Sequence, residues 1–241
     1  MMSADSNPLR EYFEQNPGRL INKWMHYFDV YHRHFQRFRN RPCTVLEFGV
    51  FHGGSLQMWR DYFGPQSRIV GIDINPRLRD LGEPGIEIII GDQGDRRFLR
   101  ELAARLGPID VLIDDGSHIM GHQIATLEEL YTAVHPDGVI LVEDTHTSYW
   151  REHGGGLRNP FTFMEYAKRL VDELNAWHSH DPHSFAAGPF TKTARSMHFY
   201  DSMVVIEKGL HEPPQQRATG TPSFPIETPV NQPMPAVTWK T

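Results

Sequence analysis

Cysteine is almost missing from this sequence: Cys43 stands alone among 241 residues. One thiol excludes an intrachain disulfide framework and any zinc site built from cysteines alone, and it suits a reducing cytoplasm. Long apolar runs are also missing. No stretch nears the roughly 18 residues that suggest a membrane span, and the opening MMSADSNPLREYF has neither the basic start nor the apolar core of a secretory signal. Positive charge is not in excess. The 24 Lys and Arg residues face 30 Asp and Glu residues, a net charge of −6, which argues against a general nucleic-acid or anionic-membrane binder. What remains, 39% hydrophobic and 22% charged residues, is a globular balance with the length of one large or two small domains.

Three regions separate by composition. Residues 1–42 read as a helical lid or oligomerisation segment. Asn7 and Pro8 form a helix start, Pro17-Gly18 a break, and residues 19–39 an amphipathic helix. In that helix Leu20, Trp24, Tyr27, Phe28, Tyr31, Phe35 and Phe38 line an apolar face, and Lys23, Arg33, Arg37 and Arg39 a solvated basic one. Residues 43–208 alternate short apolar runs with helical patterns. Strands are expected at 44–49, 68–73, 86–91, 110–115 and 139–144, and helices at 55–63, 96–106, 119–134 and 161–177, with a short one at 76–81. A closing hairpin, 196–200 and 203–208, turns at Asp201-Ser202. This pattern predicts a doubly wound α/β fold: a Rossmann-like seven-stranded sheet, mostly parallel with an antiparallel last strand, and helices on both faces. From residue 209 onward Pro213, Pro214, Pro222, Pro225, Pro229, Pro233 and Pro235 exclude helix and central strand, leaving a tail that Trp239 could help dock.

Ligands of such sheets bind beyond the carboxyl ends of the strands. The first strand runs into Glu47-Phe48-Gly49-Val50-Phe51-His52-Gly53-Gly54-Ser55. Its glycines permit close backbone approach, but the spacing is not the G-x-G-x-x-G of dinucleotide sites, and Glu47 suits an amine or a sulfonium better than a pyrophosphate. The second ends at Asp73, placed to hold a ribose diol, with Asn75 the better cap for the turn at Pro76. The third ends at Asp92-Gln93, where an adenine edge would lie; capping by Asp92 or Asp95 competes with that reading. The fourth and fifth end in Asp114-Asp115-Gly116-Ser117-His118 and Glu143-Asp144-Thr145-His146. Four carboxylates on neighbouring strand ends raise one another's pKa or gather a cation, and oxygen ligands suit Mg²⁺, Mn²⁺ or Ca²⁺. Asp114, nearest the strand interior, is the one expected to accept backbone N–H groups instead. His118 has the ring chemistry of a general base.

Together with His135-Pro136-Asp137-Gly138 ahead of the fifth strand, these motifs resemble the class I S-adenosylmethionine-dependent methyltransferases. Asp114–His118 with Glu143-Asp144 is similar to the Mg²⁺-dependent sugar O-methyltransferases, the mycinamicin 2''-O-methyltransferase-like family, whose relatives methylate glycolipid sugars and mycobacterial polysaccharides. The resemblance covers residues 43–150 well and the fold to about Lys208. A separate N-terminal domain of the macrolide enzymes has no counterpart here, which leads to the expectation of a smaller, stand-alone member. The resemblance implies that Glu47, Gly49, Phe51, Gly53, Gly54, Ser55, Asp73, Asp92, Gln93 and Asp114 hold S-adenosylmethionine. It implies further that Asp115, Glu143 and Asp144 ligate Mg²⁺ or Mn²⁺, and that His118 is the catalytic base. His146, Tyr149 and Trp150 are expected at the acceptor sugar, with residues 154–159 and the N-terminal helices as a lid. The expected partners are a small-molecule or oligosaccharide substrate and a second copy of the chain, with no nucleic acid. A catechol-like diol is the competing acceptor. A non-catalytic binding protein and a nicotinamide oxidoreductase are disfavoured by the intact acidic set and the missing dinucleotide fingerprint.

Overall fold

The computed structural model describes residues 7–16, 18–181 and 183–223. Pro17, Pro225, Pro229, Pro233, Pro235 and Trp239 lie outside them. Seven strands form one sheet: β1 (Cys43–Phe48), β2 (Ser67–Asp73), β3 (Ile86–Ile90), β4 (Ile109–Asp114), β5 (Val134–Val142), β6 (Ala194–Tyr200) and β7 (Met203–Lys208). Their order is β3-β2-β1-β4-β5-β7-β6. The first five are parallel, β7 runs antiparallel to β5, and β6 pairs antiparallel with β7 through the expected hairpin. The order reverses between β1 and β4, so the crevice of the fold opens there.

The helices are α1 (Pro8–Gln15), α2 (Tyr27–Phe35), α3 (Gly54–Phe63), α4 (Arg96–Leu106), α5 (Met120–Leu130), α6 (Phe163–Leu174) and α7 (Pro189–Thr193). Their starts follow side-chain chemistry. Asn7, Asp95 and Thr162 accept from the first free amides of α1, α4 and α6, and Asn75 does so for a 3-10 turn at Pro76–Leu81. Two cores sandwich the sheet. One joins Val45, Val111 and Val139 to Trp59, Phe63 and the aromatic face of α2, including Phe28, Tyr31 and Phe35. The other joins Leu46, Leu112 and Ile140 to α4, α5 and α6. Each fully buried phenylalanine contributes roughly 1.5–3 kcal/mol relative to exposure. Leu9 of α1, Ile21 and the aromatic face of α2 therefore share the core of the sheet.

The expected helix over 19–39 is corrected: it begins only at Tyr27. Residues 19–24 run as non-helical chain across the strand ends, where the carbonyls of Arg19 and Leu20 lie over Gly54. Leu20 and Trp24 accordingly sit in the open, 56% and 57% exposed, rather than on a packed face. Lys23 is the opposite case: assigned by periodicity to a solvated face, its side chain is only 3% exposed.

Candidate active site

Two pockets lie side by side at the carboxyl edge of the sheet. The first is a cleft of about 320 Å³ at the ends of β1, β2 and β3 and the loop after β4. Gly49, Asp73, Asp92 and Gln93 line it, as the sequence led one to expect. Asp73 accepts from the Val50 amide at 3.0 Å and the Asn75 amide at 2.9 Å, one on each oxygen, which fixes the carboxylate at the cleft wall. Asp92 accepts from the Gly94 amide, while Asp95 takes the helix cap. Gln93 is mostly turned inward: its amide donates to Asp114 at 2.7 Å and Thr126 at 3.0 Å and accepts from the Ser117 amide.

Glu47, Phe51, Gly53, Gly54, Ser55 and Asp114 do not line this cleft. Glu47 is fully buried behind it, accepting from the Ser55 hydroxyl at 2.7 Å and the Trp59 indole at 3.0 Å. Burial raises its pKa. Gly54 faces the segment of residues 19–21, and its missing side chain is what lets those carbonyls approach. Gly53 starts α3 in a left-handed conformation, and Phe51 is exposed on the same turn. Asp114 lies under the cleft with Oδ2 unpaired, and burial pushes its carboxyl up to about 6. Sequence reading missed Ile74 and Ile119, exposed apolar residues that line the cleft. For Ile74 the available signal was an apolar residue directly after the acidic end of β2.

The second pocket, about 230 Å³, sits at the ends of β4 and β5 and is lined by Asp115, Glu143 and Asp144 together with Asn22, Lys23, Trp24 and Tyr27. The Lys23 ammonium contacts Asp115 and lies 2.9 Å from Glu143 and 3.7 Å from Glu47. Burial works to lower its pKa, but Asp115, Glu143 and Glu47 overrule that and hold it well above the ordinary value. Glu143 is buried and its carboxyl is held well above the usual range, by burial first and then by Asp115. Tyr27 donates to Asp144 at 2.5 Å and is hydrogen-bonded with Ser202.

His118 stands at the rim, its Nε2 3.5 Å from Asp144 and 3.9 Å from Asp115. Burial lowers its pKa, which favours the neutral ring, against the pull of Asp115 and Asp144. His118 and Asp144 both have left-handed backbones, φ +56° and +52°. Such strain at non-glycine residues persists only where the surroundings fix it, and it clusters at functional sites. Here the Thr147 hydroxyl lies within hydrogen-bond distance of both the Asp144 carbonyl, at 2.8 Å, and the His118 carbonyl, at 3.1 Å, and shares its one proton between them. His146 contacts the Ser202 hydroxyl and packs edge-on between Trp24 and Trp150. Tyr149 and Trp150 are exposed.

The donor set fits a hard divalent cation. Ligand atoms of Asp115, His118 and Asp144 lie within 4.8 Å of one another; Glu143, expected as the third carboxylate ligand, is not part of this cluster, but it lines the same pocket and its buried Oε1 has no hydrogen-bond partner. An unpaired buried carboxylate oxygen is costly unless a cation meets it. A second cluster among the described residues, His34, His198 and Glu207, is linked instead by hydrogen bonds to Tyr200, Ser196 and Arg37.

A mostly parallel sheet with a cleft beside an acidic pocket at its carboxyl edge, and an antiparallel closing hairpin, is the class I methyltransferase fold. Residues 46–145 match the family described as a methyltransferase domain. The chain is 38% identical over 199 residues to the 8-demethyl-8-alpha-L-rhamnosyl tetracenomycin-C 2'-O-methyltransferase of Streptomyces olivaceus, covering 78% of this chain and 52% of that protein. It is 34% identical over 200 residues to the mycinamicin VI 2''-O-methyltransferase of Micromonospora griseorubida, covering 78% and 50%. A solved structure of MycE from the mycinamycin biosynthetic pathway, in complex with Mg, SAH and mycinamycin VI, superposes with a TM-score of 0.76 at 31% identity over 86% of this chain and 54% of that one. The resemblance to the sugar O-methyltransferases is thus borne out, and the chain spans about half the length of the curated relatives it matches. No helix among the described residues is long and apolar enough to cross a membrane.

Proposed function

We propose that this chain is an S-adenosylmethionine- and divalent-metal-dependent O-methyltransferase acting on a sugar hydroxyl of a glycoside. The observation that carries the reading is that the cleft and the acidic pocket are lined by successive residues of the loop after β4, Asp115 in the pocket and Gly116 and Ser117 in the cleft. In the cleft, Asp73 has lone pairs left to accept from a ribose diol, Asp92 would face the adenine, and Ile74 and Ile119 would cover its apolar faces. In the neighbouring pocket, Asp115, Glu143 and Asp144 would hold Mg²⁺ or Mn²⁺, which would supply Lewis acidity to an adjacent hydroxyl. His118, its neutral ring favoured by burial, takes the acceptor proton at Nε2 as the new O–CH₃ bond forms and the S–CH₃ bond breaks. Trp24, His146, Tyr149 and Trp150 offer aromatic faces to the sugar at the mouth. Alignment of donor and acceptor contributes up to ~7–11 kcal/mol. Residues 154–159 and 7–42 serve as the cover, in a cytoplasmic homodimer.

The test is mass spectrometry of a panel of rhamnosides, other glycosides and a phenolic diol, incubated with enzyme, S-adenosylmethionine and Mg²⁺, with and without chelator. A methylene gained on a glycoside and lost in chelator is expected. Methylation of the phenolic diol alone overturns the acceptor class, and full turnover in chelator overturns the metal.

A further inference from the structure

Lys23 and Tyr27 both come from the segment before the first strand, and neither is among the residues that the proposed chemistry uses. Their contacts divide the acidic cluster in a regular way. Lys23 takes Asp115 Oδ2 and Glu143 Oε2. Tyr27 takes Asp144 Oδ1. Each of the three carboxylates therefore gives one oxygen to the N-terminal segment and keeps the other. The oxygens kept are Asp115 Oδ1 and Asp144 Oδ2, which face His118 at 3.9 and 3.5 Å, and the buried, unpaired Glu143 Oε1.

We propose that Lys23 and Tyr27 are positioning residues that align these three carboxylates for the cation, and this rests on the metal-dependent reading above. Asp115 and Glu143 follow neighbouring parallel strands and repel each other. One ammonium bound to both sets their separation before any metal arrives, and Glu47 behind it holds the ammonium in place. The Tyr27 hydroxyl, itself hydrogen-bonded with Ser202, sets the rotation of Asp144. Outer partners of this kind orient metal ligands, and their loss typically costs about 10–100-fold in metal affinity or activity.

The experiment is a Mn²⁺ titration followed by electron paramagnetic resonance on the full chain. Wild type, Lys23→Met, Lys23→Arg and Tyr27→Phe are compared, with S-adenosylhomocysteine affinity and Tm measured on the same samples. Mn²⁺ affinity is expected to fall about 10–100-fold in Lys23→Met and less in Tyr27→Phe, with partial recovery in Lys23→Arg. S-adenosylhomocysteine affinity is expected to stay within about twofold in all variants. Unchanged Mn²⁺ affinity in both Lys23→Met and Tyr27→Phe overturns the proposal, as does tighter Mn²⁺ binding in Lys23→Met, which would make Lys23 a competitor for the site. If Lys23→Met does not fold, Tyr27→Phe and Lys23→Arg decide by the same criterion. Wild type that binds no Mn²⁺ overturns the metal reading and this proposal together. Wild type that binds Mn²⁺ but methylates no sugar overturns only the acceptor.

Discussion

The cleft and the acidic pocket share an edge of the sheet yet are made in different ways. The cleft is local. Asp73 and Asp92 sit at or just past strand ends and accept from amides two residues on or from the turn of the adjoining strand, and only Gln93 reaches further, to Asp114 and Thr126. The acidic pocket is assembled over distance. Lys23 reaches Asp115 and Glu143 across 92 and 120 positions of sequence, and Tyr27 reaches Asp144 across 117. A nucleoside needs shape and a few acceptors, which short loops can supply. Three gathered carboxylates need opposing charge, and the strands that carry them do not provide it.

The contrast is sharpest where one pocket can be damaged without the other. The largest effect is expected from His118→Ala, which should lower kcat about 10²–10⁴-fold while S-adenosylmethionine affinity, measured by calorimetry, holds. Equal losses in both would show the pockets to be one unit. Asp73→Ala comes next. Loss of hydrogen bonds to a charged group costs about 1.5–3 kcal/mol, so donor affinity should weaken about 10–100-fold with Mn²⁺ affinity untouched. A parallel loss of Mn²⁺ binding would erase the distinction.

The smallest effect concerns Asp114, buried under the boundary and joined to Gln93. Its folded-state pKa of about 6 lies above the ordinary 3.8, chiefly through burial. The stability it contributes is therefore complete below about pH 4 and is lost as pH rises through 6. That loss is at most about 3 kcal/mol. Asp114→Asn should gain on wild type in Tm by several degrees between pH 4.5 and 7. A constant difference across that range would show that Asp114 keeps an ordinary pKa.

The strands and the caps at Asn75 and Asp95 were legible in the sequence because each depends on neighbours in the chain, and the convergence of Asp115, Glu143 and Asp144 followed from the pairing of β4 with β5. Lys23 was not legible. Its spacing from Arg33 and Arg37 placed it on a solvated helical face, because periodicity assumes that the helix exists. Residues 19–24 instead cross the glycine turn at Gly53-Gly54, a contact that no local pattern encodes. The same blindness applies to Glu47 and Ser55. An acid and a hydroxyl flanking a glycine turn suggest a ligand, but the Trp59 indole one helical turn on claims the acid for the interior.

Gly49 has φ +90°, and a Cβ built on it would stand 2.0 Å from the Asp115 carbonyl oxygen. The turn after β1 and the chain leaving β4 are thus pressed together with no room for a side chain between them. A branch as small as alanine at residue 49 would drive the Asp115 peptide aside and disturb the acidic pocket, which Asp115 lines, from a residue that lines the cleft.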